Sequence, residues 1–346
     1  MQFNRRSIAL LISLGAGIIG IAVFFIVSGI GIAALAIICI AAAVLLINLL
    51  LRSFGNFTSG KIAAIGKFAI AGSVLLIVIS VIISLAGLLL YAQDSIIFRN
   101  INDPQSRQLL HTIPGYSEIQ FTAANGRTYN GMMYEQAEGI SPLVIYFGGN
   151  GECSYSNMQL RRTRNQWQYF SGYNYLFIDY DGYGINGGSL DYKKLYEQAL
   201  AVYDYAVTLP NVDRSRIVAM GYSLGTGAAV YLAAHRQVSG LILGAPYSNG
   251  YDLYNNLMPI FYGPLRLLVK QKLSSDLYAP EVTCPVLIFA SHTDELVPFN
   301  SSVKLSKLFP GHTDFVTLDS VSHNSIFLAS GVLPRVQSFL EELNQK

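Results

Sequence analysis

Charged side chains are scarce in this sequence, and two long stretches near its beginning have none. Charged residues make up 13% of the 346 residues, about half of what soluble proteins usually carry. Residues 7–51 contain no charged residue, and neither do residues 68–93. Uninterrupted apolar runs of this length are typical of membrane spans. We therefore predict a transmembrane region over residues 1–95.

The first uncharged run is too long for one helix that crosses a bilayer. A crossing needs about 20 residues, and the apolar core of a signal peptide has only about 7–15. The sequence therefore predicts about three membrane helices, at approximately residues 7–28, 30–51 and 69–91. A hairpin that lies in the bilayer without crossing it is the alternative for the first run.

The charged residues before and between these runs are all basic, which predicts the orientation of the chain in the membrane. The pair Arg5-Arg6 precedes the first run, and residues 52–67 carry three basic residues and no acidic one. Basic loops favour the cytoplasmic side, so an odd number of crossings places the remaining chain on the non-cytoplasmic side. The sequence thus predicts a multi-pass membrane protein, and a difference of one crossing would reverse the orientation.

Cysteine is also scarce, and net charge is small. Cys39, Cys153 and Cys284 are far apart in sequence, which excludes a disulfide framework. A single bridge between Cys153 and Cys284 stays open, although free thiols are the favoured interpretation.

The formal net charge of +2 offers no basic surface for nucleic acid.

From residue 116 onward, short apolar runs alternate with amphipathic stretches, which is typical of an α/β domain with a mostly parallel sheet. A turn at residues 124–126 predicts a hairpin of residues 116–122 and 128–134. The other predicted elements are strands at 142–147, 175–179, 216–220, 240–244, 285–290 and 314–318, and helices at 155–170 and 191–209; residues 325–343 are predicted to contain the final helix. Residues 96–115 are a connector to this domain, residues 116–346. A small cap-like insertion is predicted near residues 246–280.

The sequence Gly221-Tyr222-Ser223-Leu224-Gly225 lies between a predicted strand and a predicted helix. This is the pattern of a nucleophile elbow, a sharp turn that lifts a serine hydroxyl clear of the sheet. Glycines flank the serine because side chains there would collide with neighbouring backbone. We predict Ser223 as a catalytic nucleophile. The alternative is a glycine-rich turn that only allows close packing.

A serine nucleophile needs a base and an orienting acid. Groups that follow parallel strands meet at one edge of the sheet, and among five histidines this placement favours His323. Asp294 follows the strand at 285–290 and is the predicted acid, with Glu295 and Asp319 as alternatives. The chain order of nucleophile, acid and base agrees with the elbow pattern.

Two backbone N–H groups are expected to form an oxyanion hole beside the nucleophile. One belongs to Leu224, which directly follows Ser223. The other should follow the strand at 142–147, where the sequence continues Gly148-Gly149-Asn150-Gly151. The predicted second donor is Asn150 or Gly149.

A second glycine pattern, at residues 182–187, formally matches the dinucleotide-binding fingerprint. Three residues, Gly188-Ser189-Leu190, separate it from the helix that the fingerprint requires. We therefore predict no nucleotide site there. The triad requires neither a cofactor nor a metal ion.

Five stretches together resemble the α/β-hydrolase superfamily: IYFGGNGE, DYDGYGINGGS, GYSLGTGAA, PVLIFASHTDELVP and SVSHN. The sequence looks most similar to membrane-anchored Bem46-like and ABHD13/ABHD17-like serine hydrolases. The resemblance covers residues 116–346 and implies the α/β-hydrolase fold. Such proteins usually have a histidine where Gly148 stands, and a single N-terminal anchor. This sequence departs from them at both points.

These features predict a membrane-anchored serine hydrolase that cleaves an ester or thioester acyl bond through an acyl-enzyme. The resemblance implies small acyl esters, lipid esters or S-acylated proteins as substrates. Two alternatives stay open: a serine peptidase of the same fold, and a non-catalytic binding module attached to the membrane. Loss of a triad member would favour the binding module.

Overall fold

The computed structural model describes residue 93 and residues 98–345. The chain divides into two units, Met1–Gln93 and Asp94–Lys346, and all described residues except residue 93 belong to the second. The predicted membrane helices at 7–28, 30–51 and 69–91 lie outside the described residues. Among the residues that are described, no helix is long and apolar enough to span a bilayer.

One eight-stranded sheet organises the described residues. Its strands are β1 Tyr116–Thr122, β2 Thr128–Tyr134, β3 Ser141–Phe147, β4 Asn174–Ile178, β5 Val212–Tyr222, β6 Gly240–Gly244, β7 Val286–Ser291 and β8 Thr313–Leu318. Their order across the sheet is β1-β2-β4-β3-β5-β6-β7-β8. The pairings β1–β2 and β2–β4 are antiparallel, and the others are parallel. The predicted strands and the mostly parallel sheet are confirmed.

Helices precede, connect and follow the strands of the sheet. They are α1 Pro104–Leu110, α2 Ser154–Thr163, α3 Tyr192–Ala206, α4 Leu224–His235, α5 Gly250–Leu257, α6 Ser275–Tyr278, α7 Phe299–Ser306 and α8 Val332–Asn344. Short 3₁₀ turns add Gln166–Phe170, Gly263–Leu268, Ala279–Glu281 and His323–Leu328. The side chain of Asp191 caps α3 by accepting from the N–H groups of Lys193 and Lys194, as its type and position predict.

The core lies on both faces of the sheet because side chains alternate along each strand. In β3, Leu143, Ile145 and Phe147 pack into one buried cluster, whereas Val144 and Tyr146 pack into the other. All residues of β3 are buried, as expected for a strand covered on both faces.

One predicted helix is divided in two, and another occupies only part of the stretch predicted to contain it. The predicted helix at 155–170 ends at Thr163, and Asn165 has a left-handed φ of 52° before the next 3₁₀ turn. Asparagine tolerates this conformation better than most residues. The stretch 325–343 contains the final helix, as predicted; this helix begins at Val332, after Gly331, whose φ is 82°. Periodicity alone did not reveal the break at Asn165.

The segment predicted as an insertion, residues 246–280, adds no strand to the sheet. It contains α5, α6 and two 3₁₀ turns. Tyr254, Phe261 and Val269 form a small buried cluster of their own within it. Cys153 and Cys284 are both free thiols, which agrees with the favoured interpretation.

Candidate active site

Ser223 occupies the tight turn between β5 and α4. Its φ is 49° and its ψ is −116°, a region that costs a non-glycine residue about 1–3 kcal/mol. The Ser223 N–H donates to the Gly244 carbonyl at 2.8 Å, and the Thr226 N–H donates to the Ser223 carbonyl at 3.0 Å. These bonds hold the strained turn, and its geometry is that of a nucleophile elbow.

The two glycines of the elbow allow close contacts between backbones. A Cβ on Gly225 would lie 2.0 Å from the Phe147 carbonyl oxygen, and one on Gly221 would lie 2.7 Å from the Thr226 Cα. Neither position can accept a side chain without a shift of backbone. The contact at Gly225 also brings the end of β3 beside Ser223.

Ser223, His323 and Asp294 are in direct contact, although they are far apart in sequence. The distance from Ser223 Oγ to His323 Nε2 is 2.8 Å, and His323 Nδ1 lies 2.8 Å from Asp294 Oδ2. Because an ionised carboxylate only accepts hydrogen bonds, Nδ1 is the donor to Asp294. The Nε2 atom is then free to accept the proton of the serine hydroxyl.

Burial and further hydrogen bonds restrain both partners of Ser223. The His323 side chain is 4% exposed and that of Asp294 is 2% exposed. The N–H groups of Leu296 and Val297 donate to Asp294 Oδ1 at 2.9 and 2.8 Å. These bonds orient the carboxylate toward the imidazole.

Glu295 and Asp319, the alternative acids, do not contact the imidazole ring. Glu295 Oε2 accepts from the His323 backbone N–H at 3.0 Å, and Asp319 is exposed. Tyr222 Oη donates to the His323 carbonyl at 2.7 Å, and burial raises the pKa of this phenol. Glu295 and Tyr222 therefore hold the backbone of His323, a role that sequence reasoning missed.

The other histidines are placed away from this group: His111, His235, His292 and His312. His235 is exposed near the end of α4, with Nδ1 2.8 Å from the Tyr231 carbonyl. The carbonyl of His312 accepts from the Val286 N–H, at the opposite edge of the sheet.

The loop after β3 brings the predicted oxyanion donors beside the elbow, and it distinguishes between them. The Gly149 N–H donates to Glu152 Oε2 at 2.7 Å, so it is already engaged. The Asn150 N–H has no acceptor within residues 98–345, and Leu224 is the first residue of α4, where no intrahelical acceptor exists. Of the three predicted donors, Gly149 is therefore already bonded within the loop, whereas Leu224 and Asn150 are not.

Side chains from distant parts of the chain hold this loop. Asn150 Oδ1 accepts from the Arg99 N–H at 2.6 Å and from Tyr183 Oη at 2.8 Å. Tyr180 Oη donates to the Gly148 carbonyl at 2.9 Å. The tyrosines lie in or beside the second glycine pattern, so this pattern helps to hold the loop after β3.

Glu152 is the acceptor at the centre of the loop. Its Oε2 also accepts from Tyr146 Oη at 2.9 Å, and its Oε1 accepts from Asn157 Nδ2 at 3.3 Å. Asn157 Oδ1 in turn accepts from the buried Arg161 Nε at 3.1 Å. The acidic residue directly after the glycine-rich loop was the only sequence signal for this role.

Gly148, where the resemblance implied a histidine, faces an aromatic ring. A Cβ on Gly148 would lie 2.4 Å from the Phe177 ring. Phe177 thus occupies the space into which a side chain at residue 148 would extend. The loop is held by Tyr180, through the Gly148 carbonyl, and by Glu152, without a side chain at residue 148.

A small cavity of about 50 Å³ lies beside the candidate site. Tyr222, which precedes Ser223, and Asn324, which follows His323, both line it together with Arg161, Phe327 and Leu328. Pockets that enclose drug-sized ligands measure about 300–1,000 Å³. The cavity is therefore much smaller than such pockets, and neither Ser223 nor His323 lines it.

Comparisons with known proteins agree with this architecture. Residues 188–320 match the model of the dienelactone hydrolase family, a stretch that includes Ser223 and Asp294 and ends before His323. An uncharacterised protein of Mycobacterium tuberculosis is 28% identical over 233 residues, which are 66% of this chain and 81% of that protein. The alpha/beta hydrolase domain-containing protein aho-3 of Caenorhabditis elegans is 26% identical over 168 residues, 49% of each chain.

The structure of the esterase Pf2001 from Pyrococcus furiosus superposes with a TM-score of 0.57 at 17% identity. The superposition covers 71% of this chain and 98% of that one. The sheet, the elbow and these matches place the chain in the α/β-hydrolase superfamily.

Proposed function

We propose that this chain is a membrane-anchored serine hydrolase that cleaves an ester or thioester acyl bond. The observation that carries the proposal is the continuous contact from Ser223 Oγ through His323 to Asp294, with 2.8 Å at each step. This is the arrangement that activates a hydroxyl near neutral pH. Membrane anchoring rests on the two uncharged runs at residues 7–51 and 68–93.

In the first step, Ser223 Oγ attacks the carbonyl carbon of the acyl group while His323 Nε2 accepts the hydroxyl proton. Asp294 stabilises the imidazolium that forms. The tetrahedral oxyanion accepts hydrogen bonds from the Leu224 and Asn150 N–H groups. The N-terminus of α4 adds a favourable electrostatic potential for this negative charge.

Collapse of this intermediate releases the alcohol or thiol, which takes the proton from His323 Nε2. The acyl group remains bound to Ser223 Oγ. Water then loses a proton to the same nitrogen and attacks the acyl carbonyl. Release of the acid restores the hydroxyl of Ser223. The likeness to esterases supports ester substrates, and the membrane anchor supports lipid esters or S-acylated proteins among them.

A fluorophosphonate probe, which reacts covalently with activated serines, tests the nucleophile directly. Wild-type protein should be labelled and Ser223→Ala should not. Against acyl esters and thioesters of graded chain length, Ser223→Ala should lose on the order of 10⁴-fold or more in turnover. His323→Ala should be nearly as damaging, whereas His235→Ala should behave as wild type.

Matched amide substrates belong in the same panel, because a peptidase would use the same triad. Turnover of amides faster than of the corresponding esters would favour the peptidase. Robust ester turnover by Ser223→Ala would overturn the assignment of the nucleophile.

A further inference from the structure

Part of the insertion exposes several large apolar side chains within a short stretch of sequence, residues 257–267. Leu267 is 87% exposed, Tyr262 60% and Leu257 55%. We define the cap patch as these and their exposed neighbours: Leu257, Met258, Ile260, Tyr262, Leu265 and Leu267. Scattered exposed leucines are ordinary, whereas a contiguous group marks an interaction site.

The cap patch belongs to a folded segment with a core of its own. Tyr254, Phe261 and Val269 are buried together, and Tyr254 and Phe261 make an edge-to-face ring contact. The backbone thus alternates between residues directed into this small core and residues directed outward. The exposure of the cap patch is part of the folded structure of this segment.

The charged side chains within the segment that carries the cap patch are all basic. Residues 253–275 contain Arg266, Lys270 and Lys272 and no acidic residue. All three basic residues are exposed, and the Arg266 guanidinium lies 4.8 Å from the centre of the Tyr251 ring. Asp252, at the margin, is bonded to Ser301 and Lys304.

We propose that the cap patch docks on an anionic lipid leaflet. Apolar side chains that enter the interface, with Lys and Arg directed toward the headgroups, are the features that hold a protein on such a surface. A second copy of the chain fits less well as the occupant. A two-fold contact through this patch would place the basic residues of the two copies opposite one another, where they would repel. The docking does not depend on the proposed activity.

The cap patch adjoins the candidate site. Asn256, the residue before Leu257, donates through Nδ2 to the carbonyls of Glu295 and Leu296 at 3.0 and 3.1 Å. These residues directly follow Asp294. Docking would therefore bring the rim of the site to the leaflet, where lipid esters are held.

The test places an environment-sensitive fluorophore on Leu267→Cys in the full chain, with Cys39, Cys153 and Cys284 replaced. The matched control is Ile140→Cys, because Ile140 is also apolar and 70% exposed but directly precedes β3, outside the insertion. Both proteins are reconstituted in vesicles of phosphatidylcholine alone or with phosphatidylserine. Thermal unfolding checks that each labelled protein is folded.

The fluorophore at residue 267 should shift to shorter wavelength and be quenched by brominated lipid, more strongly with phosphatidylserine. The fluorophore at residue 140 should do neither. The preference for phosphatidylserine should disappear in the Arg266→Glu, Lys270→Glu, Lys272→Glu variant. It should also weaken as ionic strength rises from about 0.1 to 1 M, where the Debye length falls from about 10 to 3 Å.

Two results would overturn the proposal. One is equal lipid quenching at residues 267 and 140. The other is a wavelength shift at residue 267 that grows with protein concentration in detergent without vesicles, which would show that a second copy covers the cap patch. Neither result bears on labelling of Ser223, so failure of docking and failure of the proposed activity are distinguishable.

Discussion

Backbone strain is found at Ser223, the residue whose side chain must leave the sheet. The left-handed φ of 49° directs the hydroxyl away from β5, and hydrogen bonds to Gly244 and Thr226 stabilise the turn. His323 is restrained at its backbone as well as at its ring, by Glu295 and Tyr222. These restraints fix the contact between the two side chains in the folded chain, which in the proposed reaction would reduce the entropy lost on reaching the transition state.

Glu152 provides a prediction at the scale of one residue. Glu152→Ala leaves the Gly149 N–H and Tyr146 Oη without their acceptor, which costs about 1–3 kcal/mol per buried group. The loop that carries the Asn150 N–H should then move. We expect kcat on an ester substrate to fall about 10²- to 10³-fold, with a much smaller change in KM.

Glu152→Gln retains an accepting oxygen and should restore part of the loss. Glu341→Ala, on the exposed face of α8, is the matched control and should leave kcat unchanged. Steady-state kinetics on all three variants measures these effects. Wild-type kcat in Glu152→Ala would show that the loop keeps its geometry without this carboxylate.

At the scale of elements, the packing of α4 on the sheet depends on Gly225. Gly225→Ala would bring a methyl group to 2.0 Å from the Phe147 carbonyl, so α4 or the end of β3 must shift. We expect a loss of about 3 kcal/mol or more in stability together with loss of activity. Gly187→Ala is the control, because a Cβ at Gly187 meets no atom within 4 Å.

Thermal unfolding and ester turnover of the two glycine variants provide the comparison. The change at Gly225 should lower both the melting temperature and turnover, and the change at Gly187 neither. Equal melting temperatures for the two variants would contradict the argument from backbone contact.

Asp179 joins the end of β4 to the start of α2. Its carboxylate accepts from the Ser154 N–H at 2.6 Å and from Ser154 Oγ at 2.8 Å. Burial raises the pKa of Asp179 to about 7, whereas an unfolded aspartate releases its proton near pH 4. Between these values the folded chain holds more protons than the unfolded chain, so stability should fall as pH rises from about 4 to 7.

Asp179→Asn cannot titrate, so this pH dependence should be missing from the variant. The stability of wild type relative to Asp179→Asn should decrease by at most about 1.4 kcal/mol per pH unit through that range. Thermal unfolding of both proteins at several pH values measures the difference. Parallel curves for the two proteins would show that Asp179 keeps an ordinary pKa in the folded state.

At the scale of the whole molecule, the parallel sheet brings the site together. The ends of β3, β5 and β7 and the loop after β8 share one edge, because parallel strands connected by crossovers all point the same way. The strand register aligns Phe147 with Gly221, and Ser291 with Leu318. Residues separated by about a hundred positions in sequence therefore meet within hydrogen-bonding distance.

The predicted orientation in the membrane is tested with single cysteines in intact cells. A cysteine at Gln345, near the end of α8, should react with a membrane-impermeant thiol reagent, and one at Ser59 should not. Cys153 and Cys284 are replaced in this background. Permeabilised cells, in which both sites should react, are the control. Labelling at Ser59 alone would place the α/β domain in the cytoplasm.

Local sequence patterns determined most of the fold. The hairpin at residues 116–134 and the strand at 240–244 were predicted with the bounds that the structure shows, because turn residues and side-chain period act over a few neighbours. Placement after strands also selected Ser223, Asp294 and His323 as the candidate triad, and the structure brings these three side chains into contact. The same reasoning did not reveal the helix break at Asn165, since a left-handed residue there leaves the apolar periodicity unchanged.

Only the tertiary structure decided how the site is supported. The choice between Asn150 and Gly149 depends on Glu152, whose carboxylate takes the Gly149 N–H. Tyr183, 33 residues away, donates a hydrogen bond to the side chain of Asn150. Tyr222, 101 residues away, donates one to the carbonyl of His323. Contacts of this kind produce no periodic pattern in the sequence, because they depend on which distant segments the sheet and its loops place side by side.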